Sequence, residues 1–267
     1  MLVVPFNIFG KNYIIKMKKQ LLTLVAISLI FTACSKKEST PESTIDVTEL
    51  SLNYDKQHQF TIKQGNNDID ESTYIWTSAD VRVGTIEASG LFQAKRIGTT
   101  TVTATKDGKS LTSKITVSPY VSFFIEPYVS FTSNKTTIKS QETRTLETGG
   151  ETTTSLLYKG ENNKITNVFY GFENGLLQGS IVVFNISNIL PKDLATFFVE
   201  RYTLIGETNN TYYFSKGDIL VAIGETAGIG FTAIYVKNTT GNVSNISVKE
   251  AKLLIDQKSL ILKAELN

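Results

Sequence analysis

A chain of 267 residues with 41% hydrophobic and 19% charged side chains can bury one large core or two modest ones, which excludes wholesale disorder. With 27 Lys+Arg against 25 Asp+Glu the formal charge is only +2, so the basic field that nucleic-acid binding needs is missing and no nucleic-acid partner is expected. One Cys and one His exclude an internal disulfide and a multi-Cys metal site, and leave a single candidate for His-dependent catalysis. No cofactor is expected.

From Met17 the chain reads Met-Lys-Lys-Gln, then runs apolar from Leu21 to Phe31, then continues Thr32-Ala33-Cys34-Ser35. A cationic start, an apolar stretch and small residues before a cut have the form of a secretory signal. A stretch of that length spans about 16 Å as a helix, roughly half a bilayer core, too short for a permanent anchor. The signal is complete from Met17, so residues 1–16 are expected to precede the true start and residues 1–33 to be removed. Lys11, Lys16, Lys18 and Lys19 would leave with them, giving a mature net charge of about −2.

Phe31-Thr32-Ala33-Cys34 resembles the lipobox of bacterial lipoproteins, with Phe31 where Leu is more usual. That resemblance implies cleavage before Cys34 and its acylation, and more than one acyl chain gives stable attachment at ~0.8 kcal/mol per buried methylene. Ser35, rather than Asp, is similar to lipoproteins sorted to the outer membrane. Lys36-Lys37-Glu38 leaves both the surface and the periplasmic face open. Residues 34–44 include SKKESTPEST, a polar, Pro-interrupted run that reads as a flexible tether.

Residues 45–118 alternate with period two: Leu50 and Leu52, Phe60 and Ile62, Val102 and Ala104, Ile115 and Val117. Short β-prone runs punctuated by Gly, Asn and Asp predict an antiparallel sandwich. Trp76-Thr77-Ser78-Ala79-Asp80 leads to Val83-Gly84-Thr85-Ile86, then Ser89-Gly90-Leu91-Phe92-Gln93-Ala94, then Gly98-Thr99-Thr100-Thr101-Val102-Thr103-Ala104. This order of motifs resembles the bacterial Ig-like domain, group 2, with Gly84 where that family more often has Ala. Trp76 is expected to plug the space between the two sheets. Gly90 is expected at a positive-φ hairpin position. Asn66, Asp68, Asp70 and Glu71 alternate oxygen ligands as calcium loops do. They lack the Gly and Glu of an EF-hand, so a solvated loop is expected. His58 is expected on the surface.

Residues 119–267 are predicted to form an α+β domain, an antiparallel sheet with one or two helices on one face. PYVSF occurs twice, from Pro119 and from Pro127, and reads as consecutive extended segments. Thr136–Glu147 suggests an edge strand and Gly149-Gly150 a turn. Ile165–Phe172 and Leu176–Phe184 predict a hairpin closed by Asn174-Gly175. Pro191 opens a helix whose apolar face is Leu194, Phe197, Phe198 and Tyr202. Strand character returns at Tyr212–Phe214, Ile219–Ile223 and Phe231–Val236. Ser247-Val248-Lys249-Glu250 is a capping box that opens a last helix through about Asp256. Leu260, Leu262 and Ala264 either continue it or form a strand.

No constellation here reads as catalytic. Glu200-Arg201-Tyr202 fits helix-end charges beside a buried Tyr. Gly224–Gly230 lacks the Lys-Ser/Thr of a phosphate loop and fits a hairpin turn. Glu173, Glu200, Asp218 and Glu225 are the carboxylates a small carbohydrate hydrolase would have to pair. The expected role is a non-enzymatic binding or adhesion module with a glycan or protein ligand. A structural spacer or envelope-complex subunit is the alternative. Tyr120, Phe123, Phe124, Tyr170, Phe172, Tyr212 and Tyr213 are the candidate stacking aromatics, most of them expected in the core.

Overall fold

Period-two burial builds the N-terminal half strand by strand. Its elements are β1 (Ser43–Ile45), β2 (Glu49–Asn53), β3 (Gln57–Gln59), β4 (Ile62–Gln64), β5 (Asn67–Ile69), β6 (Ile75–Ser78), β7 (Gly84–Ile86), β8 (Leu91–Ala94), β9 (Gly98–Lys106) and β10 (Lys109–Ser118). The computed structural model describes residues 41–240 and 246–264. Cys34, the expected signal and nearly all of the expected tether lie outside the described residues. The described residues from Ser43 onward form one compact unit.

The strands form sheets ordered β2-β10-β9-β6, β3-β8-β7 and β1-β4-β5. All pairings are antiparallel except β2 with β10, which is parallel and sets Leu50 beside Ile115. Phe60, Phe92, Val102 and Ile115 are fully buried between the sheets. They, rather than Trp76, fill the centre. Trp76 is half-buried at the rim, where it stacks on Phe60 at 5.8 Å and donates its indole N–H to the Glu71 carbonyl at 2.9 Å. Gly90 takes φ +81°, as its hairpin position predicts.

The C-terminal half is one sheet of eight antiparallel strands. In chain order these are β11 (Leu146–Glu151), β12 (Ser155–Lys159), β13 (Ile165–Glu173), β14 (Leu176–Phe184), β15 (Thr203–Thr208), β16 (Thr211–Lys216), β17 (Ile219–Thr226) and β18 (Gly230–Lys237). Their spatial order is β11-β12-β13-β14-β18-β17-β16-β15. Asn174 (φ +52°) and Gly175 (φ +77°) close the β13–β14 hairpin as predicted, and Thr226–Gly230 turns β17 into β18.

Among the described residues three helices flank this sheet: α1 (Lys135–Gln141), α2 (Pro191–Val199) and α3 (Val248–Ala264). They cover both faces, not one. Along each strand alternate residues part ways. Val168, Tyr170, Val221, Ala233 and Tyr235 join α1 and α2 in one core. Phe169, Leu220, Ala222, Ile234 and Val236 join α3 in another. The central strands are therefore apolar on both sides, which is why they read as continuous runs. Leu194, Phe197, Phe198 and Tyr202 are all buried, as their spacing predicts. The Ser247–Glu250 capping box forms in both directions, and the helix it opens runs on through Ala264. Among the described residues no helix is long and apolar enough to cross a membrane.

Three local expectations fail. Lys135–Gln141 is a helix, because the Asn134 side chain accepts the Thr137 N–H at 2.9 Å and caps it. Gly149-Gly150 lies inside β11, where the register with β12 shifts, so the pair makes an irregularity in an edge strand instead of a turn. Neither PYVSF copy joins a sheet. Residues 119–134 lie as a strap over the α2-side core, burying Phe124 and Phe131 and packing Val121, Phe123 and Val129 against it.

Candidate functional site

A strap outside any ladder must satisfy its backbone polar groups through side chains, and two buried clusters do this. In the first, Glu200 caps α2 and is fully buried. It accepts the Tyr120 N–H at 2.6 Å and the Arg201 Nη1 at 3.2 Å. Arg201 donates to the carbonyls of Phe197 at 2.9 Å and Val121 at 3.1 Å, and its guanidinium lies 3.6 Å from the Phe197 ring centre. The Tyr202 hydroxyl donates to Glu126 at 2.5 Å. Burial, then the Glu126 charge, drives the Tyr202 phenol far above its usual pKa, so it stays a donor.

In the second cluster, Arg144 is buried between Glu142 (3.0 Å) and Glu161 (2.7 Å) and donates to the Ile125 carbonyl. Glu161 also accepts the Ile125 N–H at 2.7 Å. The Tyr170 hydroxyl donates to Glu142 at 2.5 Å and accepts the Tyr128 N–H at 3.1 Å. Thus the tyrosine N–H of each PYVSF copy meets a buried side-chain oxygen. Burial is the largest single influence on Arg144 and pulls its pKa down. The hydrogen bond to Glu161 and the two carboxylate charges outweigh it and leave the guanidinium raised.

The first cluster also fixes the two halves to each other. The Glu200 carbonyl accepts the Ile97 N–H at 2.9 Å, Arg96 Nη2 donates to Thr203 Oγ1 at 2.8 Å, and the Tyr120 hydroxyl donates to Asp55 at 3.2 Å. Between the halves lies a cleft of about 500 Å³ walled by Asp80, Arg82, Val83, Arg96, Ile97 and Thr99 on one side. Arg201, Thr203, Ser215 and Lys216 wall the other side. Asp80 is held by Arg82 at 3.0 and 2.8 Å, and that hydrogen bond keeps its carboxyl below the usual range. Among the described residues the Arg96 side chain bonds to the Lys95 carbonyl and the Thr203 hydroxyl, and burial draws its pKa below the ordinary arginine value. Lys216 sits 5.7 Å over the Tyr202 ring.

Residues 39–117 match the bacterial Ig-like domain, group 2. The match spans the N-terminal strands and stops one residue short of the end of β10. Among solved structures the chain is similar to domains 5–6 of the S-layer protein SbsC. That likeness has 14% identity and a TM-score of 0.26, and covers 74% of this chain and 84% of that one. Domains 4–9 of the same surface layer protein give 13% identity over 75% of this chain and 27% of that one, with a TM-score of 0.26. No curated protein matches the chain.

The other sequence-stated candidates do not converge on this cleft. Glu173 and Asp218 lie at the same end of the eight-stranded sheet, but β14 and β18 stand between their strands, a gap of roughly 14 Å. Glu225 is at the opposite end, and Glu200 is buried among its own partners. A glycosidase pair needs about 5 to 10 Å across a cleft. Asp68 pairs with Lys63 at 3.6 Å and Asp70 caps a short turn at Ser72, while Asn66 is exposed beside them. Among the described residues no three His, Cys, Asp or Glu gather as metal ligands. His58 is part-exposed, 3.1 Å from Asp46 and edge-on to Phe60. Of the candidate aromatics, Tyr120 and Tyr212 are exposed, Phe123 is half-buried, and Phe124, Tyr170, Phe172 and Tyr213 are core. Arg96, Thr203 and Lys216 were not legible as a group, because over a hundred positions separate Arg96 from Thr203 and neither lies in a motif.

Proposed function

We propose that this chain is a non-enzymatic binding or adhesion module of the bacterial envelope, anchored through acyl chains on Cys34 and facing outward from the outer membrane. One observation carries the reading: hydrogen bonds from Ile97 to Glu200, from Arg96 to Thr203 and from Tyr120 to Asp55 tie the Ig-like unit to the C-terminal half and leave an open cleft walled by both. A preformed recess with a few convergent polar groups is what binding requires, since ordering costs are met before the ligand arrives. The separation of Glu173, Asp218 and Glu225 supports binding over hydrolysis. The match of residues 39–117 to the bacterial Ig-like domain, group 2, supports an exposed location, with glycan or protein as ligand.

A spacer or subunit role in an envelope complex is the competing reading. The full chain, purified in detergent, is screened against glycan arrays and host-matrix panels and used to capture partners from solubilised envelopes. Saturable binding to a glycan or matrix protein supports the proposal. Silence in both screens, with stoichiometric capture of envelope proteins, favours the spacer role. For the anchor, labelled palmitate should enter the wild type and not Cys34→Ala; equal labelling would refute acylation there.

A further inference from the structure

We propose that the junction cleft binds a saccharide bearing an oxyanion, a sugar unit that carries a carboxylate or a sulfate. The inference rests on the binding reading above and names the ligand class for that cleft.

Its main support is the distribution of charge. The chain has four arginines, at positions 82, 96, 144 and 201. Arg82 is paired with Asp80, Arg144 with Glu142 and Glu161, and Arg201 with Glu200 and Glu126. Arg96 is the one arginine that no carboxylate meets among the described residues, and it is half-buried in the cleft wall. Lys216, on the facing wall, also has no carboxylate partner there. Of the five charged side chains lining the cleft, Asp80 is the only acid, and Arg82 already neutralises it. The recess is thus a positive well, with two cations that no carboxylate meets among the described residues. Partial burial removes water that would screen it.

The rest of the lining suits a sugar. Thr99, Thr203 and Ser215 offer hydroxyls that donate and accept, and Val83 and Ile97 offer apolar surface to a ring face. A guanidinium fork matches the oxygens of a carboxylate or a sulfate. At about 500 Å³ the cleft is of small-ligand size and too small to seat a folded partner. Arg96 is also preorganised, because its bond to Thr203 and the Ile97–Glu200 bond beside it fix its position.

The test is calorimetric titration of the full chain in detergent with a heparin-derived tetrasaccharide, tetragalacturonate and neutral maltotetraose. At least one anionic probe should bind saturably, more weakly as salt rises, and the neutral probe should not. The heparin arm reads sulfate and the galacturonate arm reads carboxylate. Arg96→Gln and Lys216→Gln should each weaken binding by about tenfold or more, the loss of a charge-assisted hydrogen bond. Arg96→Gln removes the bond to Thr203, so its melting curve is compared with wild type. Lys216 is exposed, and its variant tests the site without that concern. The inference falls if neither anionic probe saturates, or if both variants bind as wild type does. Capture of a neutral glycan or a protein ligand when both anionic probes fail would overturn this inference and leave the binding reading standing. Failure of every ligand class would sink both.

Discussion

Glu200 accepts the backbone N–H of Tyr120 at 2.6 Å while its own carbonyl accepts that of Ile97 at 2.9 Å, so one buried residue holds both the strap and the Ig-like unit. Removing the carboxylate orphans the Tyr120 N–H and strips Arg201 of its nearer counter-charge. Glu200→Ala should cost ~3–5 kcal/mol in urea denaturation, the scale for breaking a buried pair. Glu200→Gln keeps an acceptor for Tyr120 and should cost clearly less. Equal losses in the two variants would show that the carboxylate is incidental.

The resemblance to the Ig-like domain leads one to expect Ala at position 84, and the neighbour of Gly84 accounts for the glycine. A Cβ added at Gly84 would lie 2.2 Å from Phe92 Cζ. Phe92 is fully buried and fills the space an alanine methyl would take. Gly84→Ala is therefore expected to destabilise by ~1–3 kcal/mol through overpacking. Adding Phe92→Leu should recover part of that loss in a double-mutant cycle. Additive effects would contradict the contact.

The same core decides between two aromatics. Trp76 is half-buried at the rim and Phe92 is wholly enclosed. Phe92→Ala should cost ~3–5 kcal/mol and Trp76→Ala less, about 2–3 kcal/mol, by thermal or chemical denaturation. A Trp76 loss as large as that of Phe92 would restore the indole to the central place its uniqueness suggests.

Gly171 and Gly179 are register partners on β13 and β14, and together they seat Leu262 of α3. Cβ atoms there would come within 2.3 Å and 2.9 Å of the Leu262 side chain. Gly179 is the more constrained of the two, since its Cβ would also lie 2.6 Å from the Tyr235 carbonyl. Gly179→Val should lift the end of α3 from the sheet, with faster amide exchange in residues 255–264 than in wild type. Unchanged exchange there would mean that the seat does not hold the helix.

Much of this architecture was legible because local signals agreed with it. Asn174-Gly175, Pro191 and the Ser247–Glu250 box each carry a mechanism confined to a few residues, and each sits where that mechanism requires. β15 was not legible: it carries exposed Leu204, and its turn, Asn209-Asn210 at φ +51° and +59°, lacks the glycine that advertises such turns. The two-sided burial of the sheet was hidden because a helix's apolar stripe does not say which face it will cover. The strap escaped for a related reason. PYVSF has strand composition, but its backbone bonds go to Glu200, Arg201, Asn162 and Tyr170, partners set only by the tertiary fold. Long-range assembly likewise made the cleft invisible in the sequence.

Acid should act on the strap through Glu161. Burial, the largest single influence on this carboxyl, raises its pKa, but the hydrogen bonds from Arg144 and the Ile125 N–H, with the Arg144 charge, outweigh it and leave the value lowered. A carboxylate whose folded pKa is depressed contributes stability that is fully present above the unfolded value, about 4.3 for glutamate. It is lost as pH falls through the lower folded value. Wild-type stability, measured by urea denaturation across the acid range, should therefore decline below that unfolded value. Asp80 is lowered in the same sense by Arg82, so the wild-type slope alone does not isolate Glu161. The difference between wild type and Glu161→Gln does: it should be largest near neutrality and shrink as pH falls through the glutamate range. A difference that stays constant with pH would show that the Glu161 charge does not hold Ile125 and Arg144 in place.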